Sequence, residues 1–325
     1  MKKIAKVLTV TIIIAICVML AGCQKVGYVF NEGFVKSIGE VKDGSWNSQD
    51  DAAQQEEKED TPVIDEFVQG TYSGVNFNTQ EDLVNYYIKA YDNTKSQTAV
   101  YINSDGKEET RYAFLGTEEL NVGTILIDGN ENSMVNKAAP GIVNGIFVKG
   151  VASLPPYYSS VPSEDNNLND DTRKNDYNFD KCMLVSDDIL ACNATQNDDG
   201  TLTVKLQPKA ANNSLRGDDS QGRAFEALGD IAGIVSQINV MSFSQGDVND
   251  NIIVNYNGGV ITAKIDPKSE KIVEADYDMN VDVSVKHVNA VGIIKDKSAA
   301  LNIKFKNHFP ADSKYLKDVA GISAK

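Results

Sequence analysis

The sequence is poor in the side chains that usually build metal sites and nucleophilic centres. Its 325 residues include two histidines, four cysteines and one tryptophan. It contains no H-E-x-x-H, no G-x-S-x-G, no G-x-x-x-x-G-K-[ST] and no G-x-G-x-x-G after a strand pattern. Positive charge is also scarce, with 31 Lys and Arg against 46 Asp and Glu and a net charge of −15. Phosphates repel such an acidic chain, which argues against nucleic acid as a partner.

Apolar residues are plentiful, and the first of them form one long run. Hydrophobic residues make up 42% of the chain, with 13 Tyr and 11 Phe, so wholesale disorder is excluded. Lys2, Lys3 and Lys6 precede an uncharged, mainly apolar segment from Val7 to Gly22. A basic start followed by an apolar stretch is typical of a secretory signal. The run is shorter than the roughly 20 apolar residues of a stop-transfer helix.

The apolar run ends in Leu20-Ala21-Gly22-Cys23, which resembles the lipobox of bacterial lipoproteins. The resemblance implies a signal peptide over residues 1–22, cleavage between Gly22 and Cys23, and a diacylglyceryl group on the Cys23 sulfur. It also implies a protein held to the cell membrane by its acyl chains, outside the cytoplasm. If the cell is Gram-positive, the anchor lies in the outer leaflet of that membrane. Apart from this anchor we expect no cofactor. The alternative is an uncleaved membrane anchor that ends at an unmodified cysteine.

An acidic segment separates the predicted signal peptide and lipid anchor from the folded part. Nine acidic residues and one lysine lie between Asp43 and Glu66. Such a composition cannot bury enough apolar surface to offset the entropy of ordering it. We therefore predict a lipid-anchored N-terminus and flexible linker over residues 23–66, and a globular domain over residues 67–325.

Local patterns predict the first elements of that domain. Thr79 is a favourable N-cap for a helix over 79–95, and the spacing of its apolar residues gives one buried stripe: Leu83, Tyr87, Ala90 and Tyr91. The turn signal over 104–107 predicts a hairpin of strands near 98–103 and 109–115. Further on, residues 221–238 are apolar over most of a helical surface, which predicts a buried helix.

The C-terminal part predicts antiparallel sheet. Asn257-Gly258 lies between apolar runs over 251–256 and 259–265 and predicts a hairpin, and residues 266–269 predict a second turn. A strict alternation then places seven apolar residues on one face: Val273, Ala275, Tyr277, Met279, Val281, Val283 and Val285. His287 continues that face, and Lys304 and Lys306 of a later strand are expected to pair with the acidic row opposite. The predicted fold class is α+β, a curved antiparallel meander with helices packed on one face.

A long polar loop is predicted at about residues 155–181. Loops of this length are usually functional or disordered. Four aromatic residues near its ends are candidates for contact with a ligand or a partner: Tyr157, Tyr158, Tyr177 and Phe179.

Few residues are candidates for site chemistry. Once Cys17 leaves with the signal and Cys23 is acylated, Cys182 and Cys192 remain, and an even pair outside the cytoplasm favours a disulfide. The alternative is two small buried thiols. His287 and His308 are interpreted as structural or exposed, and the Asp- and Asn-rich clusters at 197–200 and 247–251 as turns and caps rather than calcium loops. No metal site is expected.

These features favour a non-catalytic, membrane-anchored protein whose folded part binds a small molecule or a protein. Segments such as NTQEDLVNYYIKAYDNTK and SDDILACNATQNDDGTLTVKLQPK resemble uncharacterised lipoproteins of low-GC Gram-positive bacteria. A coiled sheet closed by helices is also similar to the half-barrels of LolA-type lipoproteins, which implies as one alternative a carrier of a lipid or another amphiphile. A second alternative is an extracytoplasmic hydrolase of cell-wall or polysaccharide material, for which the sequence supplies no nucleophile motif.

Overall fold

The fold is known from a computed structural model of the chain. It describes residues 60–131, 136, 149–156, 160–161, 181–225, 241–290 and 294–325. The predicted signal peptide, Cys23, most of the linker and the four candidate aromatic residues lie outside these ranges: Tyr157, Tyr158, Tyr177 and Phe179.

The described residues are mostly β-structure with a few helices. The strands, in chain order, are β1 Gly70–Tyr72, β2 Val75–Phe77, β3 Thr98–Ile102, β4 Glu108–Tyr112, β5 Gly116–Val122, β6 Leu126–Ile127, β7 Asn130–Glu131, β8 Val151–Ala152, β9 Ile189–Gln196, β10 Leu202–Pro208, β11 Ala211–Asn212, β12 Met241–Phe243, β13 Ile252–Tyr256, β14 Val260–Asp266, β15 Lys271–Ala290, β16 Ile294–Phe309 and β17 Ser323–Ala324. The helices are α1 Gln80–Lys95, α2 Ser220–Ala224, α3 Val248–Asn251 and α4 Ser313–Ala320, with a 3₁₀ turn at Ser186–Asp188.

One open antiparallel sheet of twelve strands dominates the described part of the chain. Its main path runs β7-β6-β16-β15-β14-β10-β9, with β5 on β16, β8 on β5, β12 and β13 on β15, and β11 on β13. A smaller sheet has the order β17-β3-β4, and β1 pairs with β2. The fold is thus roughly α+β, as predicted. The predicted meander holds from β14 to β16, but β10 pairs with β14 although β11, β12 and β13 lie between them in the chain.

Helix α1 forms as the sequence predicts. The Thr79 hydroxyl accepts from the Asp82 N–H at 3.1 Å, and the Asp82 carboxylate accepts from the Thr79 N–H at 3.0 Å, which makes a capping box. The predicted stripe is buried and belongs to the same core cluster as the inward side chains of β15. The hydroxyls of Tyr87 and Tyr277 lie 2.6 Å apart.

The predicted hairpin over 98–115 is also confirmed. Strands β3 and β4 pair from Thr98 opposite Tyr112 to Ile102 opposite Glu108. The Asn103 side chain accepts from two N–H groups within the turn, and Gly106 has a φ of 75°, a value that favours glycine. The turn is therefore built by local interactions that the sequence already specifies.

The hairpin predicted at Asn257-Gly258 is wrong. Strands β13 and β14 do not pair with each other but lie end to end along β15, with Tyr256 opposite Val281 and Val260 opposite Asp278. The Asn257 N–H donates to the Asn280 carbonyl at 3.2 Å and Gly258 has a φ of 61°. The positive φ at Gly258 is the backbone conformation that a hairpin turn requires. However, β13 and β14 each pair with β15 and not with each other, so no hairpin forms.

The alternation along β15 is confirmed over most of its length. Its inward side chains are buried from Ala275 to Val285. At the start of the strand, however, Val273 is 41% exposed and Ile272 is buried, because the pairing with β14 shifts register between Lys264 and Ile265. A one-residue shift moves side chains to the opposite face. His287, predicted on the apolar face, lies in a second irregularity with a φ of 56°, so that prediction is wrong.

Two predicted boundaries differ from those observed. The described part of the helix predicted over 221–238 begins at Ser220 and ends at Ala224, and residues 226–240 lie outside the described ranges. The segment before residue 67 already contacts the sheet, because the buried Gln207 amide donates to the Thr61 carbonyl at 2.9 Å and accepts from the Val63 N–H at 2.7 Å. The predicted linker boundary at residue 66 came from the low apolar content of the segment. Amino-acid composition cannot reveal hydrogen bonds between a distant side-chain amide and the backbone.

Candidate functional site: the polar outer face of the sheet

The side of the central sheet opposite the buried core is polar, and we call it the outer face. The strand register sets one row of polar side chains across six strands of this face: Asn193, Lys205, Thr262, Asp276, His308 and Thr117. Lys306 Nζ lies 3.1 Å from Asp276 and 3.5 Å from Asp278, which confirms the predicted pairing for Lys306, whereas Lys304 lies opposite Asn280. At these exposed positions each pair contributes little to stability.

Both histidines use Nδ1 to contact a carboxylate. His308 Nδ1 lies 2.9 Å from Asp276 Oδ1, and His287 Nδ1 lies 2.6 Å from Asp296 Oδ1. The Ser244 hydroxyl donates to Asp296 at 2.7 Å, not to the imidazole. Within the described ranges neither imidazole is hydrogen-bonded to a serine, threonine or cysteine side chain, so the relay of a serine hydrolase is not assembled there.

Five asparagine side chains on the outer face form a directed hydrogen-bond chain, which we call the amide row: Asn302, Asn280, Asn257, Asn255 and Asn212. Each Nδ2 donates to the Oδ1 of the next residue in that order. The distances are 2.9 Å from Asn302 to Asn280, 3.1 Å from Asn280 to Asn257 and 2.9 Å from Asn255 to Asn212. The Asn257 amide likewise donates to Asn255. Every amide inside the row is thus both a donor and an acceptor.

Strand pairing fixes the position of the amide row. Asn212 lies opposite Asn255, Asn255 opposite Asp282, and Asp282 opposite Asn302, which places these four residues across β11, β13, β15 and β16. The Asp282 carboxylate accepts from Asn302 at 2.9 Å and from Asn257 at 3.2 Å. Asn212 is exposed and the other members are half-buried. Sequence reasoning missed the row, because its members come from four separate segments.

A buried lysine is the second feature that the sequence did not reveal. Lys95, the last residue of α1, is 2% exposed, and its Nζ lies 2.5 Å from Ser153 Oγ, 3.1 Å from the Leu154 carbonyl and 4.1 Å from the centre of the Tyr112 ring. Two oxygens and an aromatic face suit the three N–H bonds of an ammonium. Ser153 is itself fully buried, so in this arrangement its hydroxyl binds the lysine.

The two cysteines are free thiols, which departs from the predicted disulfide. Cys192 is fully buried in β9, opposite Leu206 of β10, while the Cys182 N–H is bound by the Asp92 carboxylate of α1 at 2.8 Å. Burial raises the pKa of Cys182 to about 12 and that of Cys192 to about 11. Both are therefore protonated and poorly nucleophilic at neutral pH.

We expect both thiols to resist alkylation in the native protein and to react after unfolding in urea without a reductant. Peptide mass spectrometry at Cys182 and Cys192 measures this directly. Because both pKa values exceed the ordinary 9.0, the native state holds these protons more tightly than the unfolded state. The free energy of unfolding should accordingly fall as the pH rises above 9.0. If the unfolded protein reacted only after a reductant was added, Cys182 and Cys192 would form the predicted disulfide.

The Asp-rich clusters serve as caps and turns, as predicted. The Asp247 carboxylate accepts from the Asn249 N–H at 2.8 Å and caps α3, while Asp199 accepts from the Thr201 N–H at 3.0 Å and pairs with Lys264 at 2.7 Å. In the described portion of the chain no group of three or more His, Cys, Asp or Glu side chains is arranged to hold a metal ion.

Comparisons with protein-family models, with curated proteins and with solved structures find no match to this chain. Among the described residues, no helix combines the length and apolar character needed to cross a membrane.

Proposed function

We propose that this chain is a lipid-anchored extracytoplasmic protein whose sheet domain binds a partner without catalysing a reaction. The observation that carries the proposal is the succession of a basic start, an apolar run and the Cys23 box, followed by a separate folded body whose first described contact is made by Asp60. Acyl chains on Cys23 would be sufficient to hold an exported body at the bilayer.

The linker sets how far the body stands from the membrane. Residues 24–59, 36 in number, separate Cys23 from Asp60. Treated as a flexible coil, a linker of this length has a root-mean-square span of about 30–36 Å. The sheet domain then samples a layer of that depth outside the bilayer, where it reaches partners fixed in the surrounding wall.

The proposal includes a curved sheet with its helices on one face and a binding surface on the other. Tyr87 and Leu83 of α1 are buried against the inward side of the sheet, which supports the first part. Inward side chains such as Val283 and Ile261 are fully buried, and this packing favours a solid interior over a cavity for an amphiphile. The outer face is the remaining broad surface, and both imidazoles there are bound to carboxylates.

Replacing Cys23 by alanine is expected to abolish incorporation of an alkyne-labelled fatty acid and to remove the protein from the membrane-anchored, processed pool. Without the thiol, no diacylglyceryl group is attached and the signal is not cleaved after Gly22. In-gel fluorescence and the intact mass of the purified protein measure both effects.

Cys17→Ala is the matched control, because Cys17 lies in the same apolar run but before the cleaved bond. This variant should keep both the label and the wild-type mature mass. A wild-type protein that begins at Met1 and carries no acyl mass would refute the anchor.

A further inference from the structure

The amide row is a surface feature that folding alone does not require. Asparagine is disfavoured in strands, where β-branched and aromatic residues are the usual choice. Nevertheless Asn255, Asn280 and Asn302 occupy outward positions within β13, β15 and β16. Threonine at these positions would suit the strands better, so the repeated choice of asparagine calls for another explanation.

The row is polarised, and neither of its ends has a hydrogen-bond partner among the described residues. All donors point the same way, from Asn302 towards Asn212, and hydrogen bonds in such a chain strengthen one another. At one end, Asn212 Nδ2 donates to no residue in the described ranges, and at the other Asn302 Oδ1 accepts from none. The surface therefore offers a reinforced N–H donor at an exposed end and a carbonyl acceptor at the far end. Three inter-strand spacings separate these ends, about 14 Å.

The charge at the row selects a neutral partner. Two amide donors, from Asn257 and Asn302, already bind the Asp282 carboxylate, and the exposed Lys304 lies opposite Asn280. The next carboxylate on this face, Asp278, lies 3.5 Å from Lys306, so the charges beside the row are balanced and favour neither a polyanion nor a polycation. A partner that presents alternating neutral donors and acceptors along an extended chain matches the row.

The geometry points to the amide row as a docking surface for an uncharged glycan chain that carries acetamido groups. One acetamido group donates its N–H to the Asn302 carbonyl, and a second, on a sugar about 14 Å further along the chain, accepts through its oxygen from the Asn212 amide. Sugar hydroxyls lie between them along the row. The inference deepens the proposed function and rests on it only for access, since a lipid-anchored body meets wall glycan directly.

The test uses the purified full-length chain in detergent and chitohexaose as the probe. Wild-type protein should bind it, as measured by calorimetry. The double variant Asn255→Thr, Asn280→Thr should bind at least about tenfold more weakly, because it removes two amides from the middle of the row. Its thermal midpoint should stay equal to or above that of the wild type. Raising the salt to about 1 M, where charges are screened within ~3 Å, should not change the affinity.

Asn121→Thr is the matched control, because Asn121 is an exposed asparagine on the same face in β5 but outside the row. This variant should bind as the wild type does. Asn212→Thr removes the exposed donor end and tests the inference even if the double variant unfolds. It should also weaken binding.

Absence of binding by the wild type, or unchanged affinity in Asn212→Thr, would overturn the inference. A double variant that unfolds while Asn212→Thr binds normally would identify the row as structural and overturn it as well. Acylation of Cys23 is measured separately by mass, so failure of the glycan test leaves the anchor proposal standing, and failure of the anchor leaves the glycan test valid.

Discussion

Tyr277→Ala is expected to lower the free energy of unfolding by about 3–5 kcal/mol, the usual cost of removing a buried aromatic side chain. The Tyr277 ring is 1% exposed and meets the rings of Phe225 and Phe309 edge to face, with centroids 6.5 Å and 5.8 Å away. It joins β15 to β16, to the end of α2 and, through its hydroxyl, to α1. Alanine would leave a cavity where these elements meet, and urea unfolding followed by circular dichroism measures the loss.

Tyr277→Phe separates the hydroxyl from the ring. The Tyr87 and Tyr277 hydroxyls are 2.6 Å apart and buried, and burial raises the pKa of both groups above their ordinary value. Phenylalanine keeps the ring contacts but leaves the Tyr87 hydroxyl without this partner, which should cost about 1–3 kcal/mol. Equal losses in the two variants would contradict a central role for ring packing.

Asp188→Ala is expected to destabilise the protein by about 3–5 kcal/mol, because it removes the carboxylate that binds the partly buried Arg223 guanidinium at two points. Asp188 is 4% exposed and accepts from Arg223 Nε at 2.8 Å, while its second oxygen accepts from the same guanidinium. The pair connects the 3₁₀ turn before β9 to α2. Differential scanning calorimetry should show a lower unfolding temperature.

Arg223 provides the matched comparison. Arg223→Ala removes the other partner, and the double variant closes a thermodynamic cycle. If the two-point contact carries the effect, the double variant should lose clearly less stability than the sum of the two single variants. Additive losses would show that the side chains act independently. Arg223→Lys should retain part of the stability, since lysine keeps the charge but not the forked geometry.

Local interactions explain why some elements were predictable. Helix α1 was predicted with its N-cap and buried stripe because capping and periodicity depend on neighbours within a few residues. The hairpin of β3 and β4 was predictable for the same reason, since its turn is closed by the Asn103 side chain and Gly106.

Long-range pairing explains where prediction failed. Asn257-Gly258 has a strong hairpin signature, yet its flanking strands both pair with β15, where Val260 lies opposite Asp278, 18 positions away, and Tyr256 opposite Val281, 25 positions away. The exposed Val273 follows from a register shift set by the neighbouring strand. A sequence pattern records which residues alternate, but not where a partner strand slips by one position.

The candidate site was the least predictable part. The asparagines of the amide row come from β11, β13, the turn after β13, β15 and β16, and no spacing in the sequence connects them. In the sequence, Lys95 looks like an ordinary lysine at a helix C-terminus, where the helix dipole favours positive charge. In the structure its ammonium contacts Ser153 and the ring of Tyr112, which come from distant segments of the chain.

The sequence by itself determined the alternating faces of β15, the cap and stripe of α1, and the acidic, apolar-poor segment before the body, because each depends on residues adjacent in the chain. The tertiary structure alone decided which strands flank β15, that the cysteines remain thiols, and that five asparagines meet in one directed row. These outcomes depend on contacts between residues far apart in sequence, whose geometry exists only once the sheet has assembled.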